Sequence, residues 1–335
     1  MRSGTDEALI LLVTHAGDDH ARAVRRALSR LGAGAVTLDL ARFPGRSALR
    51  MSYEPEGTRF VIRDGGREVE PAAFDAVWWR RPRPFAIPAS IRDRAHRAFA
   101  ERAAHHAVGG LWLATRARWV NDPVRQEAAS RKTWQLALAR EVGLAIPRTL
   151  VTNDPARARA FVRSCGRRDG AWNAITKLVG PTEEVGRGTF VVTDDHFRAL
   201  GAMTFAPIVY QEYVDGVDLR VTFVDGRIFA AEVDARRTAA PHDCRLDFRN
   251  ARVGPARLPR EVALRLAKVV GRLGLAYAAF DLRRTDGGDH VFLELNPSGQ
   301  WLAWERAAGL PVTEAVARLL ARRRRPSVRR ARPRG

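Results

Sequence analysis

The stretch from Phe280 to Trp301, FDLRRTDGGDHVFLELNPSGQW, restricts the possible folds more than any other part of the chain. An apolar approach, Tyr277-Ala278-Ala279-Phe280, ends in one acid, Asp281. Asp286-Gly287-Gly288-Asp289 supplies a turn signal, and Val291 to Asn296 then alternates as a strand does. The pattern predicts a β-hairpin with a Gly-containing loop. A period of two puts Phe292, Glu294 and Asn296 on one face, with Val291, Leu293 and Leu295 on the other. Because a hairpin returns its second strand beside the first, Glu294 and Asn296 are expected next to Asp281. Two carboxylates and a carboxamide make an all-oxygen donor set, which suits Mg²⁺ together with water and nucleotide phosphates. Without a cation, two adjacent buried carboxylates repel and one keeps its proton. A surface hairpin with incidental acids is the plainer reading. Against it, Glu294 lies in a run too apolar for a solvent-facing strand, and Pro297 stops that strand directly after Asn296.

Composition narrows the class. A length of 335 residues allows about two domains. The longest early apolar run, Leu9 to Val13, is too short for a signal core and follows Asp6 and Glu7 instead of a basic segment, and no stretch approaches a membrane span. Cys165 and Cys244 are the only cysteines, which excludes a disulfide framework and a zinc motif. A cytoplasmic protein is expected. The net charge is +20, and residues 321–335, ARRRRPSVRRARPRG, contribute eight arginines and no acid. Such a block reads as a solvated, disordered tail, with nucleic acid as its alternative partner. The remaining excess suits steering of anionic ligands such as phosphates or an acidic peptide. Basic residues are nearly all Arg; Lys132, Lys177 and Lys268 are the only lysines. A compact ammonium reaches a phosphate as a point charge where a guanidinium is too broad.

In chain order, Ala8 to Val13, Asp19 to Leu31 and Ala35 to Leu40 read as strand, helix and strand, the opening of a parallel α/β unit. No G-x-G-x-x-G marks its first turn, so a dinucleotide site is not expected. His15, Asp18, Asp19 and His20 read as a loop and helix cap. Arg59 to Val69 reads as a hairpin, Ala76 to Trp79 as a strand and Ser90 to Val108 as a helix; Trp112 and Trp119 are expected in the core. Asn121-Asp122-Pro123 marks a boundary, followed by one helix to Val142 with Gly143 as its stop. Ala174 to Leu178 is a strand carrying Lys177, and Gly180 to Gly188 is a glycine-bearing loop able to turn N–H groups toward phosphates. Ile208 to Val214 suits an adenine hinge: backbone C=O and N–H groups of Glu212 and Val214 match the ring's donor and acceptor. Asp218 suits a ribose hydroxyl. Arg220, two residues on and on the same face, suits a transferring phosphate.

An Asp followed by Glu-x-Asn on paired strands resembles the metal site of ATP-grasp ligases. Asn296-Pro297-Ser298-Gly299-Gln300-Trp301 and Gly309-Leu310-Pro311-Val312 resemble more narrowly the ATP-grasp ribosomal peptide maturases, the graspetide or microviridin-type ligases. The likeness covers most of the chain except the tail. It implies an α/β ATP-grasp fold, in which two α+β subdomains sandwich ATP, preceded by an α/β pre-ATP-grasp domain. The corresponding ranges are 1–121, then 122–320 divided at 210/211, then the tail at 321–335. It also implies ATP and Mg²⁺ as cofactors, with metal ligands Asp281, Glu294 and Asn296. The nucleotide residues would be Lys132, Lys177, Gln211, Glu212, Tyr213, Val214 and Asp218. Arg220 would be the catalytic cation and Arg249, in Asp247-Phe248-Arg249, the second choice; the family has Trp where Phe248 stands. The Arg80-Arg81-Pro82-Arg83-Pro84 run is similar to the family's peptide-side segment, though an exposed loop stacking on Trp78 or Trp79 explains it equally well. The partner implied is a ribosomally made precursor peptide whose Asp or Glu side chains become macrocyclic esters or amides, and a homodimer is plausible by the same likeness. Two alternatives stand: a ligase of the same fold joining an amino acid or small amine to another carboxylate, and a basic nucleic-acid-binding protein.

Overall fold

The computed structural model describes residues 7–168, 170–178, 189–239, 242, 244 and 247–322. The chain divides into two units, one running to Pro123 and resuming at Val312, the other being Val124–Pro311.

The first unit opens with β1 (Leu9–Val13), α1 (Asp19–Arg30) and β2 (Gly34–Leu38). Asp18 caps α1, its carboxylate accepting from the N–H groups of His20 and Ala21. The hairpin expected around Asp64-Gly65-Gly66 forms from β4 (Gly57–Asp64) and β5 (Arg67–Val69), and β3 (Ser47–Glu54) adds a third antiparallel strand. After β6 (Ala76–Trp79) comes α2 (Arg94–Ala114), which starts later than the sequence suggested because Asp93 provides the cap, and runs on to Ala114. With β7 (Arg118–Val120) the main sheet has the order β2-β1-β6-β7, all parallel. A parallel sheet must be covered on both faces. Leu11, Val13 and Val77 pack with Val108, Leu111 and Trp112 of α2 on one side. Trp79, Trp112 and Trp119 meet edge to face, as core residues do. The basic run after β6 splits up. Arg80 is 1% exposed and pairs with Asp18 at 3.4 Å, while Arg83 pairs with Asp39.

The second unit begins with two helices instead of one, α3 (Pro123–Ala129) and α4 (Lys132–Glu141). Ser130 breaks them: its hydroxyl bonds the Glu127 carbonyl at 2.6 Å, a local side-chain bond that competes with helix continuation. The break makes Lys132 the first residue of α4. Next come β8 (Thr149–Thr152), α5 (Pro155–Cys165), β9 (Arg167–Arg168), β10 (Ala171–Trp172), β11 (Ala174–Leu178), β12 (Thr189–Val191), α6 (Asp194–Arg198) and β13 (Ile208–Glu212). Four of these strands form an antiparallel sheet of order β12-β11-β13-β8. The rest of the unit comprises β14 (Val217–Val224), β15 (Arg227–Asp234), β16 (Arg252–Ala256), α7 (Arg260–Leu273), β17 (Tyr277–Arg284), β18 (His290–Asn296) and α8 (Leu302–Ala308). Its sheet, β16-β15-β14-β17-β18, is antiparallel throughout. Every residue of β14 is buried. One face, Leu219, Val221 and Phe223, joins the core with Leu266, Val270, Phe280 and Phe292; the other presents Asp218, Arg220 and Thr222. Burying a side chain the size of Phe292 contributes about 3 kcal/mol.

The last helix, α9 (Val312–Ala321), was expected to close the second domain. It packs instead on α1 and across the central strands β1 and β6 of the first unit, because its buried face, Val312, Ala315, Val316, Leu319 and Leu320, finds the uncovered side of that sheet. No helix among the described residues is long and apolar enough to cross a membrane.

Candidate active site

The hairpin forms as β17 and β18, with one departure. Asp281 lies opposite Glu294, but Leu282 lies opposite Phe292, so Leu293 is an extra residue in a bulge. Strict alternation is thereby broken. Phe292 turns into the core beside Phe280 and Leu282, while Leu293 and Glu294 both face the cleft with Asp281. The expectation that Phe292 shares a face with Glu294 therefore fails. Asn296 is exposed, pairs with Ala279, and uses its Oδ1 to accept the N–H of Ser298 at 3.0 Å.

Two Asp-x-Arg tripeptides meet across the central pair of strands. β14 carries Asp218-Leu219-Arg220 and β17 carries Asp281-Leu282-Arg283; antiparallel register sets Asp218 opposite Arg283 and Arg220 opposite Asp281. Both pairs close. Arg283 donates to Asp218 at 2.8 Å, and the Arg220 guanidinium contacts Asp281 directly. Arg220 also donates to Sγ of Cys244 at 3.1 Å and lies over the Trp304 ring at 5.3 Å. Burial alone would lower the Arg220 pKa, but Asp281, ahead of Cys244 and Asp218, holds it well above its ordinary value. Burial pushes the Cys244 thiol up to about 12, so it stays protonated.

The cleft lies between the two sheets of this unit. From the smaller sheet come Lys177 on β11 and Gln211 and Glu212 at the end of β13, with Tyr213 and Val214 following. From the larger come Asp218, Arg220, Asp281, Arg283 and Glu294. Gln211 is 2% exposed; its Nε2 donates to Thr149 at 3.0 Å, and its Oε1 has no partner among the described residues, which leaves a buried acceptor on the cleft wall. Gly216 turns the chain from the segment after β13 into β14 at φ +142°, and a Cβ there would stand 2.1 Å from the Arg284 carbonyl oxygen. Lys132 reaches this site from α4, its Nζ 2.8 Å from Glu294 Oε2. A groove of about 350 Å³ continues past Tyr213 and His242, lined also by Trp172, Arg168 and Arg236.

Nine of the expected residues thus share the cleft wall, and Lys132 adjoins it. Arg249 does not: it is exposed on a short turn away from the lining. Phe248 meets Trp304 edge-on at 5.3 Å, so it supports the ring that covers Arg220. The Gly180 to Gly188 loop lies outside the described residues. Trp301 is fully buried against Tyr277. Sequence reasoning passed over Arg283, Cys244 and Trp304; only Arg283 left a signal, the repeated Asp-x-Arg.

As a cation site the cleft supplies oxygen donors, with Asp281 and Glu294 directly opposite in register. No third His, Cys, Asp or Glu joins them among the described residues. Such a set fits a hard cation that keeps water or phosphate ligands, and does not fit zinc.

Residues 9–127 match the model of the MvdD pre-ATP grasp domain. The macrocyclase MdnC of Microcystis aeruginosa, solved with its precursor peptide MdnA, is similar over 94% of this chain and 99% of its own, with 26% identity and a TM-score of 0.81. The chain is an ATP-grasp ligase. A RiPP-associated ATP-grasp ligase of Chryseobacterium gregarium, solved with ADP and a leader and core peptide, shares the fold at 20% identity, covering 93% of this chain and 96% of its own with a TM-score of 0.82. A probable alpha-L-glutamate ligase of Teredinibacter turnerae is 26% identical over 226 residues, 64% of this ligase and 71% of the relative. The ligase groups with the graspetide-type enzymes, as the Asn296 to Trp301 stretch implied, and enzymes of this fold use ATP.

Proposed function

We propose that this ligase activates Asp or Glu side chains of a ribosomally made precursor peptide as acyl phosphates and closes them onto Ser, Thr or Lys side chains of the same peptide. The carrying observation is the cleft in which Asp218, Arg220, Asp281 and Glu294 converge beside the hinge of β13, in a chain similar over nearly its whole length to a peptide macrocyclase. The hinge backbone at Glu212 and Val214 takes the adenine, and Asp218 a ribose hydroxyl. Lys177 and Lys132 meet phosphate oxygens, and Arg220, held by Asp281 and Trp304, faces the charge that develops on the transferring phosphoryl group. Arg249 is given no role. Mg²⁺ held by Asp281, Glu294 and Asn296 would neutralise charge on the phosphate oxygens. The peptide carboxylate oxygen forms a bond to phosphorus and ADP leaves; the hydroxyl or amine then attacks the acyl carbon, loses its proton, and phosphate leaves. No protein nucleophile is required.

The test is ADP release with Mg²⁺-ATP and a candidate precursor peptide, read beside the peptide's mass. Peptide-dependent ADP, matched by loss of one water per ADP and abolished by Glu294→Gln, is expected. ADP formation with an unmodified peptide would redirect the substrate toward an added amino acid or amine, the reading that the glutamate ligase relative favours.

A further inference from the structure

Arg283 is 4% exposed and makes three directed bonds in the cleft wall. Its Nε and Nη2 donate to Asp218 Oδ1 at 3.1 and 2.8 Å, and its Nη1 donates to the Val214 carbonyl at 2.9 Å. The guanidinium lies 5.4 Å from the Tyr213 ring centroid. One side chain therefore grips the acid of β14, the hinge backbone and the hinge ring. Burial works against its charge, yet Asp218 and Tyr213 raise its pKa. Asp218 has a second cation close by: Arg220 projects from the same face of β14 two residues on. A buried carboxylate deprived of Arg283 would turn to Arg220.

We infer that Arg283 is a positioning residue for the nucleotide. It holds Asp218 by one oxygen, so that the carboxylate, which the Cys244 thiol also approaches, keeps a lone pair for a ribose hydroxyl, and it keeps Asp218 from drawing Arg220 away from the γ-phosphate. The inference rests on the cleft being the ATP site. It separates two effects that a merely structural cation would not separate. Ribose recognition is read as the affinity ratio of ATP to 2′-deoxy-ATP and to 3′-deoxy-ATP; Arg220 engagement is read as the ratio of ATP to ADP.

Calorimetry with these four nucleotides and Mg²⁺ on the full chain, with thermal melts alongside, tests it. The wild type should favour ATP over one deoxy analogue by about 10- to 100-fold, the range of a hydrogen bond to a charged group. Arg283→Met should bring that ratio to about one and also lower the ATP-to-ADP ratio by about tenfold. Adding Asp218→Asn to Arg283→Met removes the competing charge: the ATP-to-ADP ratio recovers, and the ribose ratio stays near one. If the wild type binds no ATP, the cleft reading falls and takes the inference with it. If ATP binds and a folded Arg283→Met keeps both wild-type ratios, the ATP site stands and the inference is overturned. If Arg283→Met does not fold, Arg283→Lys decides, since it keeps the charge and loses the fork: a reduced ribose ratio supports the role, an unchanged one ends it.

Discussion

Asp281→Asn should destabilise the ligase in the absence of any ligand, because it removes the charge opposite a buried guanidinium. The Arg220 side chain is 9% exposed and that of Asp281 26%. Removing one partner of a fully buried pair costs about 3–5 kcal/mol. Asp281 is partly solvated, and Cys244 and Asp218 remain beside Arg220, so the loss should fall to about 2–3 kcal/mol. For a unit of this size that lowers Tm by about 6–9 °C. Replacing both partners, Arg220→Met with Asp281→Asn, leaves no unpaired charge and should cost less than Asp281→Asn alone. Urea unfolding of the wild type, both single variants and the double variant gives the coupling directly, with tryptophan fluorescence as the probe because Trp304 covers Arg220. A coupling above about 1.5 kcal/mol is expected. Additive losses, or an Asp281→Asn variant within about 0.5 kcal/mol of wild type, would refute the argument that the carboxylate holds Arg220 in place.

The bulge at Leu293 predicts that Phe292→Ala costs about 3–5 kcal/mol of stability whereas Leu293→Ala costs little and weakens ATP binding; strict alternation predicts the reverse, and urea midpoints with ATP titrations distinguish them. A Cβ on Gly299 would stand 2.3 Å from that of Ala279, so Gly299→Ala should lower Tm, and adding Ala279→Gly should restore it; a double variant no better than the single one rejects this steric account. Burial first, and Arg80 beside it, push the His20 imidazole down to about 3. The ring is neutral when folded and protonates near pH 6.5 when unfolded, so its contribution is complete above that pH and declines as pH falls toward 3. Urea midpoints should therefore show a loss of about 2 kcal/mol between pH 6.5 and 5 that His20→Gln lacks; parallel pH profiles would exclude His20 as its source.

How much of this was legible in the sequence depended on the range of the interaction. The hairpin of β17 and β18, the cap at Asp18, the core tryptophans and the polar face of β14 follow from period, turn chemistry and burial over short stretches of sequence. The break before Lys132 is local too, but one Ser competing for a carbonyl is a small effect beside the apolar periodicity around it. A bulge leaves composition unchanged, so the facing of Phe292 and Leu293 was invisible until Asp281 and Leu282 had partners. Cys244 and Trp304 reach Arg220 from segments far along the chain, with no motif to tie them to it. Arg283 was readable in principle: in the antiparallel register that sets Leu219 opposite Leu282, two Asp-x-Arg tripeptides oppose each acid to the other's arginine.

The return of α9 to the first unit has a consequence for synthesis. The sheet it covers is built from strands ending at Val120, yet six buried apolar side chains of that unit, from Val312 to Leu320, and the carbonyl of Leu320 that accepts from Arg118 at 2.8 Å, belong to the last helix. At ribosomal rates of about 5–20 residues per second, the roughly 190 residues in between take about 10–40 s to emerge. During that interval α1 lacks its neighbour and the exposed face must be tolerated or shielded. The unit that holds the cleft, second in the chain, is therefore the first whose own residues are all present.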